Sequence, residues 1–321
     1  MRALITGVAG QDGYLLAAAL VKRGWDVTGS KLSHESLAPG HVLESKRLVD
    51  LDVTDSSSVD ELIGTVRPEV IYHLAGITSV GFSIKEPELT KSVNVGGTLN
   101  VLESVRNHAL ANTLIVHAAS TEIFSNQGDL ISESSLIEPR SPYGESKALA
   151  FEACRQARNS GLKVTNAIMA NHESFLRPVD FVTGKIAHGV ASISLGIKSD
   201  VVLGNIDVSK DWSAASDVVE GLVLIAERDY VGDVILASGT STNLTEIIRE
   251  AFEYVGIENW HNFVKSDAAL VRTGESKLTQ IDPSKAVAEL GWKATTHTSQ
   301  WVGEMVQHHL DELSVSRIDR D

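Results

Sequence analysis

The stretch RALITGVAGQDGY, residues 2–14, decides the fold. It opens with a short apolar run, which predicts a buried strand. Three glycines follow at a spacing of three, Gly7, Gly10 and Gly13, and an apolar-periodic segment then predicts a helix over 14–22. Glycines in such a strand–helix turn let backbone N–H groups approach a pyrophosphate at the helix N-terminus. We therefore expect a dinucleotide-binding unit at the start of the chain.

Strand and helix signals alternate from here onward, which predicts a parallel, doubly wound α/β sheet of the Rossmann type. Near residue 175 the pattern loosens, which predicts entry into a smaller α/β C-terminal substrate lobe. We expect residues 1–170 to form the dinucleotide-binding domain, joined by a returning segment near 207–240. The remaining residues, 171–206 and 241–321, are then expected to bind the substrate.

Composition limits the classes of function. The chain has 321 residues and a formal net charge of −14, which argues against non-specific binding to nucleic acid or to an anionic membrane. Cys154 is the single cysteine, so we expect no internal disulfide and a buried, unreactive thiol. The sequence opens with no signal-peptide pattern and has no run long enough for a membrane span. We expect a cytoplasmic enzyme that has neither nucleic-acid nor membrane partners.

A second stretch carries residues suited to catalysis. An apolar run ending at His117 leads into a loop with Ser120 and Glu122, and a proline-punctuated turn then starts a helix with Tyr143 and Lys147. The last two are four apart and share one helix face. A lysine ammonium near a phenol lowers the phenol's pKa from about 10, which predicts a base for a sugar hydroxyl as hydride leaves the same carbon. Ser120 can hydrogen-bond the same oxygen, and Glu122 offers a second base.

The ends of the early strands predict the cofactor contacts. Ser30 and Lys31 follow the second strand, where an NAD site usually carries an acidic residue. They suit a 2′-phosphate and predict NADP rather than NAD, unless Lys31 is an ordinary solvated lysine. Asp52 and Val53 can read the adenine edge, unless Asp52 only caps a turn. The full predicted set is Gly7, Gly10, Gln11, Asp12, Gly13, Ser30, Lys31, Asp52, Val53, Leu74, Ala75, Gly76, Tyr143, Lys147 and His172.

A polar cluster, residues 171–174, ends the sixth predicted strand, at the sheet edge where open α/β folds bind ligands. Lys210 and Arg272 are the cations that we place on a substrate diphosphate, although isolated basic residues are mostly surface charges. We predict no metal site.

Together these motifs resemble the extended short-chain dehydrogenase/reductase family that acts on nucleotide sugars, and within it the GDP-mannose 4,6-dehydratases. The similarity spans nearly the whole chain. Its matching segments are residues 7–15, 139–143, 171–174, 181–183, 203–205, 211–212 and 291–292. The resemblance implies a GDP-sugar substrate held by Ser79, Asn171, Val182, Lys185, Leu203, Asn205, Lys210, Arg272 and Glu275.

The resemblance also implies a reaction. Tyr143, as phenolate, removes the proton of the sugar 4-hydroxyl while hydride passes to NADP⁺. The resulting ketone acidifies the C5 proton, Glu122 removes it, and water leaves from C6. The stored hydride returns to C6 and gives GDP-4-keto-6-deoxymannose without net redox change.

Three alternatives remain at this point. A reductase of a nucleotide-linked 4-keto-6-deoxy sugar would use Tyr143 and Lys147 but consume NADPH. A nucleotide-sugar 4-epimerase would need no base at Glu122. A non-catalytic NADP-sensing protein would have no need of a tuned phenol.

The chain also departs from the family pattern. Phe175 stands where the family has proline, and Gly184 and Lys210 replace arginines. The loop after Lys31 is short and lacks the arginine-rich segment that the dehydratases use for tetramer contacts. We therefore expect a homodimer, with a tetramer as the alternative.

Overall fold

The computed structural model describes residues 1–125, 128–270 and 277–318. Its strands, in chain order, are β1 (Arg2–Thr6), β2 (Asp26–Lys31), β3 (Leu48–Asp50), β4 (Val70–His73), β5 (Leu114–Ser120), β6 (Leu130–Ile131), β7 (Lys163–Met169), β8 (Asn171–Glu173), β9 (Val201–Leu203), β10 (Ser209–Ala214), β11 (Gly232–Leu236), β12 (Ser241–Asn243), β13 (Val264–Ser266) and β14 (Gln280–Ile281).

Seven of these strands form one sheet, in the order β11-β7-β5-β4-β1-β2-β3. Every neighbouring pair in it is parallel, which confirms the doubly wound Rossmann-type prediction. The strand order reverses between β1 and β4. Open α/β sheets bind ligands outside the carboxyl ends of the strands at such a reversal, so the fold places a crevice beside the glycine turn.

The helices surround the sheet and build the lobe. In chain order they are α1 (Gln11–Lys22), α2 (Ser56–Val66), α3 (Val80–Lys85), α4 (Pro87–Lys91), α5 (Gly97–Asn107), α6 (Pro142–Asn159), α7 (Val182–Ser194), α8 (Ala215–Glu227), α9 (Leu244–Tyr254) and α10 (Thr298–Ile318). None of the described helices is both long and apolar enough to cross a membrane.

The helix that carries Tyr143 and Lys147, the predicted catalytic pair, begins where its sequence requires. Ser141 is the N-cap of α6, and its Oγ accepts a hydrogen bond from the backbone N–H of Gly144 at 3.0 Å. Pro142 occupies the first turn, where its missing N–H costs no hydrogen bond and its fixed φ suits a helix. As a result Tyr143 enters the helix in its first turn and Lys147 lies one turn later.

Apolar side chains cover both faces of the sheet and fill a separate core in the lobe. On one face, α1 and α8 contribute Leu16 and Leu222. On the other, Cys154 of α6 is buried beside α2 and α5, and burial raises the pKa of its thiol, as expected for an unreactive cysteine. In the lobe, α7, α9 and α10 enclose Phe252 and Trp301. Burying each such large side chain contributes about 2–3 kcal/mol.

One segment packs differently from the division expected from the sequence. Ala286, Leu290 and Trp292 belong to the core beside α8, although residues 241–321 were expected to belong wholly to the lobe. The Trp292 ring N–H donates to the backbone oxygen of Asp217, in α8, at 2.8 Å. Segment 286–292 is therefore part of the sheet domain.

A row of polar side chains crosses the sheet on the face covered by α6. Thr6, His73, His117, Asn166 and Asp233 occupy facing register positions on five adjacent strands. Thr6 Oγ1 lies 2.9 Å from His73 Nδ1, and His117 Nδ1 lies 2.9 Å from Asn166 Oδ1. The Asn166 amide donates to the Asp233 carboxylate at 2.9 Å. The residues stay in the sheet because each finds a partner on a neighbouring strand.

Candidate active site

A cavity of about 800 Å³ opens at the carboxyl ends of β1, β2 and β4. Twelve of the predicted cofactor residues line it, namely Gly7, Gly10, Gln11, Asp12, Gly13, Ser30, Lys31, Asp52, Val53, Leu74, Ala75 and Gly76. We refer to it as the cofactor cavity. Its residues come from strand ends far apart in sequence, which meet because parallel strands direct their carboxyl ends to one edge.

Two glycines of the turn have no room for a side chain. Gly7 has φ of 76°, and a Cβ there would lie 2.8 Å from the backbone of Ala75. A Cβ on Gly13 would lie 2.4 Å from Gly7 O and 2.6 Å from Val8 Cα. The turn can therefore pack against the end of β4 and against the first turn of α1 only with glycine at both places.

Lys31 is not the solvated lysine of the alternative interpretation. Its side chain is only 15% exposed, and its Nζ lies 3.0 Å from Asp50 Oδ1 on β3. Asp52 lines the cofactor cavity and also accepts hydrogen bonds from the N–H and hydroxyl of Thr54. The cation predicted to suit a 2′-phosphate thus has a carboxylate beside it.

A second cavity, of about 170 Å³, holds the predicted catalytic residues. Ser120, Glu122, Tyr143 and Lys147 all line it, and we call it the catalytic cavity. It adjoins the cofactor cavity, because five residues line both: Asp12, Leu74, Thr78, Arg177 and Phe181. A substrate in the smaller cavity would therefore contact a cofactor in the larger one.

The pKa of Tyr143 differs from the prediction. Burial raises this pKa to about 12, and the nearby Glu122 carboxylate also acts to raise it. The hydrogen bond that Ser120 donates to the phenol oxygen acts to lower the pKa but is the smaller effect. Burial also lowers the pKa of Lys147 to about 8, and Lys147 Nζ donates to the backbone oxygen of Ala118 at 2.8 Å. The expected lowering of the phenol pKa is wrong for the protein alone, because desolvation of a buried phenolate is the larger effect.

Hydrogen bonds hold α6 in place at the catalytic end. The backbone N–H of Tyr143 donates to Ser83 Oγ at 3.0 Å. The Asn94 amide donates to Ser146 Oγ at 2.9 Å and to Ile77 O at 3.0 Å. Asn94 thereby ties the segment after β4 to α6, which aligns the walls of the two cavities.

His172 lies on the catalytic cavity and is linked to the glycine turn. Its Nδ1 donates to Ala170 O at 2.7 Å, and its Nε2 lies 3.0 Å from Asp12 Oδ2. Burial acts to lower the pKa of His172, but the Asp12 carboxylate outweighs it and the pKa is raised. Burial acts to raise the pKa of Asp12, but His172 and Arg177 lower it to about 2. The pair is thus a direct polar contact between the glycine turn and β8.

Arg177 is a site residue that the sequence analysis missed. It lines both cavities, pairs with the buried Glu173 carboxylate at 2.6 Å and donates to His172 O. Its guanidinium also lies 4.8 Å from the centre of the Phe181 ring. The sequence signal is the opposite charge four residues earlier, which by itself is common on protein surfaces.

The structure brings part of the predicted substrate set together. Asn171 and Lys210 line the catalytic cavity, because β8 and β10 are paired strands. Lys185 lines a different, open groove of about 580 Å³ on the lobe. Ser79 accepts a hydrogen bond from the Phe82 N–H as the N-cap of α3, between two residues, 78 and 80, that line the catalytic cavity.

The remaining predicted substrate residues lie elsewhere. Leu203 is 2% exposed and packs in the lobe core, so its side chain lies away from the catalytic cavity. Val182 also packs against that core, and Asn205 Oδ1 accepts from the Asp207 N–H at 3.0 Å. Arg272 and Glu275 lie outside the described residues.

Comparisons with known proteins agree with this geometry. A family model described as GDP-mannose 4,6 dehydratase matches residues 4–305. A relative described as GDP-mannose 4,6 dehydratase 2, from Arabidopsis thaliana, is 34% identical over 326 residues, which cover 96% of this chain and 87% of the relative.

Two solved structures share the fold. RMD from Pseudomonas aeruginosa complexed with NADPH has a TM-score of 0.82 and 21% identity, covering 97% of this chain and 99% of that one. Thermus thermophilus UDP-glucose 4-epimerase in complex with NAD has a TM-score of 0.84 and 23% identity, covering 96% and 99%. At sequence identities this low, the similarity shows a shared fold and nothing more.

Proposed function

Because the chain belongs to the GDP-mannose 4,6-dehydratase family, whose model matches residues 4–305, we propose that it converts GDP-mannose to GDP-4-keto-6-deoxymannose. One observation carries the proposal. Ser120, Glu122, Tyr143 and Lys147 line one cavity that shares a wall with the cofactor cavity. A sugar in that cavity meets a phenol for its 4-hydroxyl and a carboxylate for its C5 proton, which is the pair of groups that dehydration needs.

Tyr143 acts at C4 of the sugar. Its phenolate takes the proton of the 4-hydroxyl, and the hydrogen bond that Ser120 donates to the phenolate oxygen stabilises this charged form. Lys147, with a pKa lowered to about 8, gains or loses a proton near neutral pH and can pass it on. When bound, the nicotinamide ring accepts the hydride and later returns it.

Glu122 acts at C5 and C6. It is exposed and lines the catalytic cavity, so its carboxylate can reach a substrate without first being released from a buried pair. Once C4 is a ketone, the C5 proton is acidic, and Glu122 takes it. The C6 hydroxyl then leaves as water with a proton from the same carboxyl group, so that the atoms balance.

The protein takes a nicotinamide cofactor, which on this proposal is NADP. Support comes from Ser30 and Lys31, which end β2 on the wall of the cofactor cavity, because a hydroxyl and a cation suit a 2′-phosphate. Asp50 balances part of the lysine charge. Calorimetric titration with NADP⁺ and with NAD⁺ tests this, and tighter binding of NAD⁺ would contradict it.

The substrate is a GDP-sugar on this proposal, with Asn171 and Lys210 on the side of the sugar and diphosphate. Lys185, Arg272 and Glu275 remain proposed contacts for the nucleotide. The sheet domain, residues 1–170 with 207–240 and 286–292, holds the cofactor, and the rest of the lobe holds the substrate. The proposal also places the enzyme in the cytoplasm.

The assembly is a homodimer on this proposal. α5 and α6 pack against each other, and each exposes a leucine to solvent, Leu99 at 48% and Leu149 at 49%. Exposed leucines on two adjacent helices favour burial against a second copy of the same surface. Sedimentation equilibrium tests the assembly, and a mass equal to that of one chain would contradict it.

The deciding experiment incubates the pure protein with GDP-mannose and a catalytic amount of NADP⁺, followed by mass spectrometry. Loss of one water from the sugar nucleotide, without accumulation of NADPH, is the expected result. Conversion only of a supplied 4-keto-6-deoxy sugar nucleotide, with stoichiometric consumption of NADPH, would instead identify a reductase. No turnover of either compound by cofactor-loaded protein would favour the sensing role.

A further inference from the structure

Three imidazoles and a carboxylate meet where α10 packs on α7. His308 and His309 are neighbours on α10, and Glu312 lies one turn further along the same helix. His188, on α7, has its ring centre 5.2 Å from that of His309. None of these four side chains lines the cofactor or the catalytic cavity, so the proposed reaction assigns them no role.

The separations between these groups match those of metal ligands. His308 Nε2 lies 3.4 Å from one carboxylate oxygen of Glu312, and His309 Nδ1 lies 3.3 Å from the other. One ligand atom from each of the three residues lies within 4.8 Å of the others. Around a tetrahedral zinc ion, with Zn–N of about 2.0–2.1 Å, ligand atoms are roughly 3.3–3.4 Å apart.

The ring positions agree as well. Two imidazoles on one tetrahedral ion place their ring centres roughly 5 Å apart, since each centre lies about 3 Å from the metal. The ring centres of His308 and His309 are 5.4 Å apart, and those of His188 and His309 are 5.2 Å apart. Each of these two pairs is therefore spaced for ligation of one ion.

One ring nitrogen of His309 is buried without a hydrogen-bond partner among the described residues. Its side chain is 9% exposed, and its buried Nε2 has no hydrogen-bond partner among the residues that the structure describes. Leaving a buried polar atom unpaired costs about 1–3 kcal/mol. Because Nδ1 is the nitrogen that faces Glu312, Nε2 can share an ion with Glu312 only if the ring turns.

We propose that His308, His309 and Glu312 bind a divalent transition-metal ion such as zinc, with His188 as the fourth ligand from α7. Imidazole nitrogen with a single carboxylate suits zinc, cobalt or nickel, whereas magnesium and calcium prefer sites made of oxygen atoms. The sequence analysis predicted no metal site. The ligands became recognisable only when the fold placed His188 beside α10.

The ion would link α10 to α7, close to the segment that leads from the active site. The ring of His308 lies 5.3 Å from that of Phe175, which directly follows the site segment 171–174. His188 and Lys185 share α7. Metal binding therefore stabilises the packing of α10 and α7 behind the substrate lobe and takes no part in the chemistry.

Cobalt provides a direct test. Untagged full-length protein is treated with EDTA, dialysed and titrated with Co²⁺, because tetrahedral cobalt with nitrogen ligands shows strong visible absorption. We expect saturable uptake of one ion per chain, displacement by Zn²⁺, and a melting temperature several degrees higher with zinc. Absence of saturable uptake by the wild-type protein would overturn the proposal.

Variants assign the ligands. Glu312 and His308 are partly exposed, with side chains 59% and 31% accessible, so Glu312→Gln and His308→Gln are expected to fold normally and to weaken Co²⁺ binding at least tenfold each. The matched control is His261→Gln, which alters an exposed histidine stacked on Trp260 and is expected to retain binding. Unchanged uptake in the double variant of His308 and Glu312 would show that the metal binds elsewhere and would overturn the assignment.

Discussion

At the scale of single residues, the site depends on groups whose properties are set by burial. Tyr143 and Lys147 are both buried, and burial shifts their pKa values in opposite directions, to about 12 and about 8. Both shifts favour the neutral form. The resting site is therefore a neutral phenol beside a lysine that titrates near neutral pH, and added positive charge is needed to form the phenolate.

Removing the phenol tests this role. Tyr143→Phe deletes one oxygen and keeps the ring, so we expect kcat to fall by about 10²–10⁴-fold, the usual contribution of a general base, with cofactor affinity retained. Steady-state kinetics and calorimetric cofactor binding provide the two measurements. Tyr254→Phe is the matched control, because that ring is half exposed and bonds only to Gln307 among the described residues. Near-normal turnover of Tyr143→Phe would contradict the mechanism.

Glu122 is expected to act after C4 oxidation. Glu122→Gln keeps the size of the side chain and removes its basicity, so deuterium exchange at C5 and loss of water should both be abolished. Transient NADPH formation should remain in a single turnover, since Tyr143 is intact. Stopped-flow absorbance and mass spectrometry follow the two steps. Full dehydration by this variant would show that another group takes the C5 proton.

At the scale of elements, the turn between β1 and α1 is determined by what a side chain would meet. Gly13→Ala would bring a Cβ within 2.6 Å of two backbone atoms, so the turn must open. We expect cofactor affinity to fall at least tenfold and stability to fall by about 1–3 kcal/mol. Cofactor titration and urea unfolding measure these effects.

A glycine in open space is the control for that variant. Gly96 has φ of −59°, and no atom beyond its chain neighbours and its own helix backbone lies within 4 Å of the position that a Cβ would take there. Gly96→Ala is expected to leave cofactor binding unchanged and to raise stability by up to about 1 kcal/mol, because alanine restricts the unfolded chain. Equal effects of the two substitutions would show that steric exclusion at Gly13 is not what maintains the turn.

At the scale of the whole molecule, the polar row across the sheet links folding to pH. Burial, with Lys147 nearby, lowers the pKa of His73 to about 3, and it lowers that of His117 well below its ordinary value. The unfolded chain takes up protons near pH 6.5 where the folded chain does not. Stability is therefore fully present above that pH and is lost as the pH falls towards 3.

His73→Asn tests the linkage. Each pH unit below 6.5 costs about 1.4 kcal/mol for one such histidine, so His73 contributes a loss of about 2 kcal/mol at pH 5. We expect the variant to lose that much less stability than the wild type between pH 7.5 and pH 5, as measured by urea unfolding. The exposed His261→Gln should retain the wild-type difference. Equal losses in His73→Asn and wild type would contradict the linkage.

Local spacing explains why much of the site could be predicted. The glycine spacing and the separation of Tyr143 and Lys147 both lie within single elements, so their geometry follows from strand, turn and helix rules alone. Arg177 was missed because its role depends on interactions with Asp12 and His172. Asp12 is far from Arg177 in the sequence, and the two come together only in the folded protein. The burial of Leu203 in the lobe core could not be predicted, because it depends on packing and not on a motif.

The sequence by itself determined the doubly wound fold, the glycine turn and the one-turn spacing of Tyr143 and Lys147, because periodicity and short-range spacing specify these features. Only the tertiary structure decided the direction of the Tyr143 pKa shift, the pairing of Lys31 with Asp50 and the meeting of His188 with α10. Those properties depend on desolvation and on distances between residues far apart in the chain. Neither the desolvation of a side chain nor the distance between two such residues can be predicted before the packing of the sheet and the lobe is known.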